Sequence, residues 1–389
     1  MTVKVTQSSI PVTKVNNFHR QINLKNNIVK LFIITQVFAG ICRLYLLQFH
    51  RSFKLLLYIY ILILISFTGY RLFIFIATSN TRFFIFKTII GIEFVLLINN
   101  SAWFLRDTLQ GLFKYLRELD VMLKINANLN PNRLLKSVYM LLVCVILELS
   151  INITLIVYEY KSLNDMGFIL FIAMLAHDSE VIFFSTLINE VFFRLKVLKQ
   201  QVLKLFLRYE NKKYNKTERD VIEMQVDIKK LHDIYDLLHK CSNKLSWFMS
   251  FPLLVILFSS GVSTTMLLND VFKTSQMKTE TPNKTLTMIY VTFRVVKYTV
   301  LVFTPCYFCH LSTIQVTIIR ATVRDVLSNF EKDKNERRKL KTFLMLIDEN
   351  NIVYALCGVI GLNMSLPLGY SSLCMTYLVI VIQFSKFVG

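Results

Sequence analysis

Acidic residues are scarce in this chain. Its 389 residues hold 25 Asp and Glu against 45 Lys and Arg, a formal net charge of +20 at pH 7. From Ile352 to Ser385, a run of 34 residues, there is no Lys, Arg, Asp, Glu or His at all. The sequence also lacks a phosphate-binding loop, a dinucleotide fingerprint and a nucleophile elbow. His177, Asp178 and Glu180 do not have the spacing of a metal-binding H-E-x-x-H helix. Catalytic residues, metal and cofactors are therefore expected to be none, and an enzyme has no support. Seven cysteines, an odd number without regular spacing, make no disulfide framework. Cys306 and Cys309 followed by His310 read formally as a haem attachment site. They fall at the inner end of an apolar helix, where buried thiols beside Pro305 explain them better. Residues 1–27 have no apolar core, so no cleavable signal peptide is expected and the first span is the anchor. The basic excess comes without a basic, aromatic-rich module, which excludes nucleic acid as a partner. There is no internal repeat, no low-complexity tract and no linker to a second globular domain.

Apolar residues make up 54% of the chain, with 32 Phe, and its mean hydropathy is +0.49. Soluble domains hold about 45–50% apolar residues, and here the excess lies in long blocks. The spacing predicts an all-α membrane protein with seven transmembrane helices in contact with the bilayer. Six spans are expected at 53–77, 88–105, 138–158, 166–193, 247–268 and 288–311, and a seventh element at 351–389. Residues 28–48 are a span or a helix on the membrane surface, and Arg43 near their centre favours the surface. The chain thus divides into an N-terminal cytoplasmic or interfacial segment (1–52), transmembrane helices 1–6 with short outer and long helical inner loops (53–311), a cytoplasmic helical segment (312–350) and a broken seventh helix (351–389). The break is expected at Pro367, because an uninterrupted helix would be about 51 Å long against roughly 30 Å of hydrocarbon. Residues 351–366 would form one helix packed on protein, and 368–384 the half that crosses. Thr376, Ile380 and Gln383 lie on one stripe of that half, and an amide at Gln383 is costly in lipid.

Thr376 and Tyr377, five apolar residues, then Gln383 and Phe384 at the C-terminus of a hydrophobic chain resemble the signature of insect gustatory receptors, relatives of insect odorant receptors. The motif covers about the last 35 residues, and the resemblance in architecture covers the whole chain. It implies seven spans, a cytoplasmic N-terminus and a ligand-gated, non-selective cation channel built from four subunits. It further implies a homotetramer or a heteromer with related receptors, in which the final helix of each subunit lines the pore. The pore and gate residues carried over are Thr376, Tyr377, Ile380, Gln383 and Phe384; Tyr377 alternatively packs against a neighbouring helix. The resemblance points to the plasma membrane of gustatory receptor neurons and to a small tastant. Bitter plant compounds are favoured over sugars or carbon dioxide, because that class is numerous.

Charge distribution gives an orientation. Of the 45 Lys and Arg, 35 fall in the N-terminal segment and in alternate loops, and 8 on the other side. By the positive-inside rule the N-terminus is cytoplasmic and the C-terminus extracellular. This is opposite to a G-protein-coupled receptor. Asn283, in a sequon within a polar loop at 269–287, is then a candidate glycosylation site, while Asn215 is inside. The inner segments are expected to pack as a cytoplasmic helical bundle, since Met224, Ile228, Leu231, Tyr235 and Leu238 recur at helical spacing.

Ionisable residues within the spans read in two ways. Asp178 and Glu180 neutralise Arg294 and Lys297 as structural ion pairs, or they line a ligand pocket with His177, Tyr158, Thr265, Tyr290 and Tyr298. Glu148 joins either arrangement, and Glu93 is less informative. The competing function is a secondary transporter of small organic molecules, which calls for matching broken helices in two halves.

Overall fold

The computed structural model describes residues 27–41, 43, 51–78, 84–101, 106–125, 139, 143, 146, 150, 165–211, 218–276, 282–328 and 334–388. Nine helices and one two-stranded hairpin are found among the described residues. The helices are α1 (Asn27–Phe38), α2 (Arg51–Thr78), α3 (Phe84–Asn99), α4 (Arg106–Met122), α5 (Asp165–Asn211), α6 (Glu218–Gln276), α7 (Pro282–Ser328), α8 (Lys334–Glu349) and α9 (Ser365–Val388). Strands β1 (Ala355–Leu356) and β2 (Ile360–Gly361) pair antiparallel between α8 and α9.

The three long helices run through both halves of the molecule. At 1.5 Å per residue, the 47 residues of α5 and α7 and the 59 of α6 extend roughly 70–90 Å, far beyond one bilayer. One end of each is polar and packs into a bundle with α4 and α8. There α4 contributes Leu109, Leu112, Leu116, Leu119 and Leu123, spaced three and four apart. Opposite them lie Leu195, Leu198 and Val202 of α5, Ile228, Leu231, Tyr235 and Leu238 of α6, and Leu340, Phe343 and Ile347 of α8. The helical bundle expected from the stripe at 224–238 is therefore present; the side chain of Met224 lies outside the described set. Arg194 pins α5 to α4 here. Its guanidinium donates to Asp120 at 2.9 Å and to Glu190 at 2.8 Å. Burial pushes the Asp120 carboxyl up, against the pull of Arg194.

A second core lies where the helices are apolar throughout. It joins Ile33 and Val37 of α1, Ile61 and Leu64 of α2, Phe94 and Ile98 of α3, Ala173 and Ala176 of α5, and Val291 and Tyr298 of α7. Around it the outward faces are also apolar, with Phe73, Phe258, Ile289 and Val300 all exposed. An apolar exterior of that extent belongs against acyl chains rather than water. Asp227–Asn269 and Val291–Ser328 are long and apolar enough to cross a bilayer, and Leu55–Arg71, Thr88–Asn99 and Ser365–Ile380 are shorter apolar helices.

Two expectations are corrected. Residues 351–366 are not the first half of a broken helix. They run as extended chain into the β1–β2 hairpin, whose turn holds Cys357 at φ 51° and Gly358 at φ 72°. Pro367 breaks nothing, because it stands in the first turn of α9, where a missing N–H goes unused. The helix begins there because the Asn363 side chain accepts the Ser365 N–H at 3.0 Å, as an N-cap does.

The polar loop expected at 269–287 is also shorter. α6 continues to Gln276 and α7 begins at Pro282, so Asn283 is the second residue of a helix. The segment at 28–48 forms a short helix. α1 has only 12 residues, about 18 Å, too short to span. It stops in a Schellman-type cap with Gly40 at φ 84°, the Ile41 N–H bonding the Gln36 carbonyl at 2.8 Å. The chain then turns inward, and Arg43 is buried in protein. The expected third span, 138–158, lies almost wholly outside the described residues.

Candidate functional site

Between the two cores, α5 turns a polar patch inward: His177, Asp178, Ser179 and Glu180, all buried. Each of these groups has a partner from outside α5, because a lone charge at this depth costs several kcal/mol or titrates to neutrality. Glu180 accepts from Arg43 at 2.5 Å, and the Arg43 guanidinium also lies over the Phe183 ring at 3.7 Å. Asp178 accepts from Lys297 of α7 at 3.0 Å. His177 Nδ1 is 2.6 Å from Glu93 Oε1 on α3. The other oxygen of Glu93 accepts from Ser259 of α6 at 2.5 Å. Ser260 lies 3.4 Å from His177 Nε2. The edge of Tyr298 on α7 meets the His177 ring at 5.3 Å between centroids. Gln36 of α1 donates to the Ser179 carbonyl at 3.3 Å.

Of the expected ion pairs, Asp178–Lys297 forms, but Glu180 pairs with Arg43 and not with a cation of α7. Arg294 bonds Met174 and Tyr298. His177, Asp178, Glu180, Arg294 and Tyr298 thus come together. Thr265 does not join them. Its hydroxyl donates back to the Gly261 carbonyl at 2.9 Å, on the α6 turn that faces α9. Glu148 and Tyr158 lie outside the described residues, as do the side chains of Tyr290 and Asn283. Sequence reasoning missed Ser259 and Ser260, and it undervalued Glu93. The signal for Glu93 was an acidic residue in an apolar helix, which needs a donor wherever it is buried.

The second feature is α9. It packs on α6 and touches α7 through one narrow strip. Tyr370 meets the Thr264 hydroxyl at 3.3 Å, and the buried Cys374 thiol donates to the Gly261 carbonyl at 3.9 Å. The rest of the helix faces away from its own chain. Thr376 and Gln383 are exposed, as are Tyr377 at 54% and Ile380 at 41%. The Phe384 side chain lies outside the described set. The base of α9 is held through the hairpin. Ser246 of α6 donates to the Ala355 carbonyl at 2.9 Å and accepts its N–H at 3.1 Å, standing in for a third strand. Tyr235 donates to the Asn350 carbonyl at 2.9 Å.

The buried patch and the exposed helix thus share α6. One side of its Ser259–Thr265 turn holds Glu93 and His177, and the other holds Tyr370 and Cys374.

Comparison with known proteins follows this architecture along the whole chain. The model of the 7tm chemosensory receptor family matches residues 31–387. Among solved structures, the insect olfactory receptor OR5 from Machilis hrabei superposes with a TM-score of 0.59 at 14% identity, covering 96% of this chain and 99% of that one. The same receptor in complex with eugenol superposes with a TM-score of 0.53 at 13% identity, covering 93% and 99%. At these identities the likeness is one of fold. No curated protein matches.

Proposed function

The chain belongs to the 7tm chemosensory receptor family, a family of receptors rather than enzymes, and on that premise we propose that it is a gustatory receptor acting as a ligand-gated, non-selective cation channel. In this reading it is a seven-span protein of the plasma membrane of gustatory neurons, with its N-terminus in the cytoplasm and its C-terminus outside. A small tastant opens it, a bitter plant compound being the favoured class. Four subunits surround a common axis, as a homotetramer or with related receptors, and α9 of each lines the pore.

The observation that carries the reading is the outward face of α9. An apolar helix that also carries Thr376 and Gln383 presents both to the outside of its own protomer. In hydrocarbon an exposed amide is costly. A water-filled axis shared with other copies solvates the amide, and rings of Tyr377 and Ile380 form a constriction that closes by dewetting. The Thr376, Tyr377, Gln383 and Phe384 signature supports the gustatory assignment. The buried patch on α5, with His177, Asp178, Glu180, Arg294 and Tyr298, serves as the floor of the ligand site.

Whole-cell recording tests this. In cells expressing the receptor at the surface, a panel of bitter compounds should evoke cation current without G proteins. Gln383→Ala should change the relative permeability to cations or the open probability. Currents with unaltered selectivity and gating in Gln383→Ala would remove α9 from the pore. If no tastant evokes current, alone or with related receptors co-expressed, the channel reading fails.

A further inference from the structure

The Glu93–His177 pair differs from the other buried pairs of the patch. Arg43–Glu180 and Lys297–Asp178 each join a strong base to an acid. Glu93–His177 instead joins an acid to an imidazole, the side chain whose unperturbed charge change falls between pH 5 and 8. The pair is fully enclosed: His177 is 3% exposed and Glu93 4%. It is also tightly bonded, at 2.6 Å between Nδ1 and Oε1, with Ser259 on the second carboxylate oxygen at 2.5 Å.

We propose that Glu93 and His177 together form a proton-binding site, and that the proton is a ligand of this receptor whose occupancy sets how firmly α3 is tied to α5 and α6. The proton count follows from charge. With one proton shared between them, the two groups are neutral in sum, whether the proton resides on the ring or the carboxyl. Losing it leaves a carboxylate next to a neutral ring in a buried site, with the Ser259 hydroxyl bonded to the carboxylate. Adding a second leaves an imidazolium without its counter-ion. Either change costs several kcal/mol in an unrelaxed interior, so the helices move apart or water enters.

The surroundings do not cancel the effect. On α5 the neighbouring acids are Asp178 and Glu180, already engaged by Lys297 and Arg43. On α7 those nearest the pair are Lys297, Arg294 and Tyr298, the last in T-shaped contact with the His177 ring. Among the described residues α6 presents the hydroxyls of Ser259 and Ser260 to the pair, and α1 offers the amide of Gln36 to the Ser179 carbonyl. Because Ser259 and Ser260 lie on the α6 turn next to Gly261 and Thr264, which hold α9, the site is linked to that helix. By reciprocity, any stimulus that shifts α6 changes proton affinity, and pH changes the response to the stimulus.

Infrared difference spectroscopy of the purified full chain in lipid nanodiscs, titrated between about pH 5 and pH 9, reads the site without a tastant and without current. The outcome is thus independent of whether the chain conducts. The wild type should show coupled changes in a carboxyl and an imidazole band with one midpoint. Glu93→Gln and His177→Asn should each abolish both. Ser259→Ala keeps the pair but removes a donor to the carboxylate, and should raise the midpoint by about one pH unit. In parallel, the wild type should lose thermal stability as pH rises past that midpoint, and Glu93→Gln should flatten that slope. Should a variant fail to fold, the Ser259→Ala shift decides. Carboxyl and imidazole changes that persist in Glu93→Gln or His177→Asn, or a midpoint unmoved in Ser259→Ala, would overturn the proposal.

Discussion

Arg43 and Glu180 stand 137 positions apart in the chain and 2.5 Å apart in the fold, both almost wholly buried. The pair joins the segment after α1 to the middle of α5. A sequence reader meets Arg43 as a charge lipid would reject, whereas in the fold protein surrounds it on every side and Phe183 covers its guanidinium.

Removing one member of that pair strands the other. Arg43→Ala or Glu180→Ala should cost about 3–5 kcal/mol, read as a lowered unfolding temperature in nanodiscs and reduced surface expression. Replacing both with apolar residues of similar size should recover most of the loss. A double variant as unstable as either single one would show that the pair does more than neutralise itself.

Gly40 has a backbone only glycine adopts freely, at φ 84°. A Cβ there would stand 2.9 Å from both Ile98 Cδ1 and Leu64 Cδ2. Gly40→Ala should destabilise by about 1–3 kcal/mol. It should also mobilise the turn that delivers Arg43, seen as faster amide exchange at residues 36–41. Gly69, which has open space around it, should accept alanine at little cost, since it sits inside a helix.

Ser246 substitutes for a strand at the hairpin beneath α9. Ser246→Ala removes both of its bonds to Ala355, leaving the Ala355 N–H unpaired and its carbonyl only the longer contact from Ser250 at 3.4 Å, and should cost about 1–3 kcal/mol. Amide exchange should rise at Ala355 and through the turn to Gly361 while α4 and α8 stay protected.

The described thiols should separate by reactivity. Cys357 is exposed in the hairpin turn, and Cys241 is buried in the bundle. Burial pushes the Cys241 thiol up to about 12, so its reactive thiolate is rare at neutral pH. A maleimide should label Cys357 promptly. Cys241 should remain unlabelled at pH 7 and still at pH 9, since thiolate accumulates only near its raised value. Fast Cys241 labelling in native protein would show that the bundle opens.

Much of the fold was legible as pattern. The leucines of α4 and the stripe from Ile228 to Leu238 alternate at helical spacing because each buries one face. The apolar runs of α2, α3, α6 and α7 are long because both their protein and outer sides are apolar. The site was legible only in part. His177, Asp178, Glu180, Lys297 and Arg294 stood out as ionisable groups in apolar helices, but nothing local says that Glu180 reaches Arg43 or that Glu93 meets His177. Ser259 and Ser260 read as ordinary small residues. The hairpin at 355–361 was hidden inside an uncharged run, where hydropathy carries no period and Pro367 was the obvious place to stop a helix. Asn363, two residues before the helix start, was the cue that Pro367 opens α9 rather than breaking it.

The amino-acid order alone determined the helical, lipid-facing character of this chain, the basic segments and the C-terminal signature. These are properties of neighbours three and four residues apart, or of composition. Which acid neutralises which base, where the final element begins, and which side of α9 is left without a partner in its own protomer were settled only in three dimensions. A buried charge is stabilised by whatever lies within about 3 Å of it, and that distance is set by how helices distant in sequence come to pack.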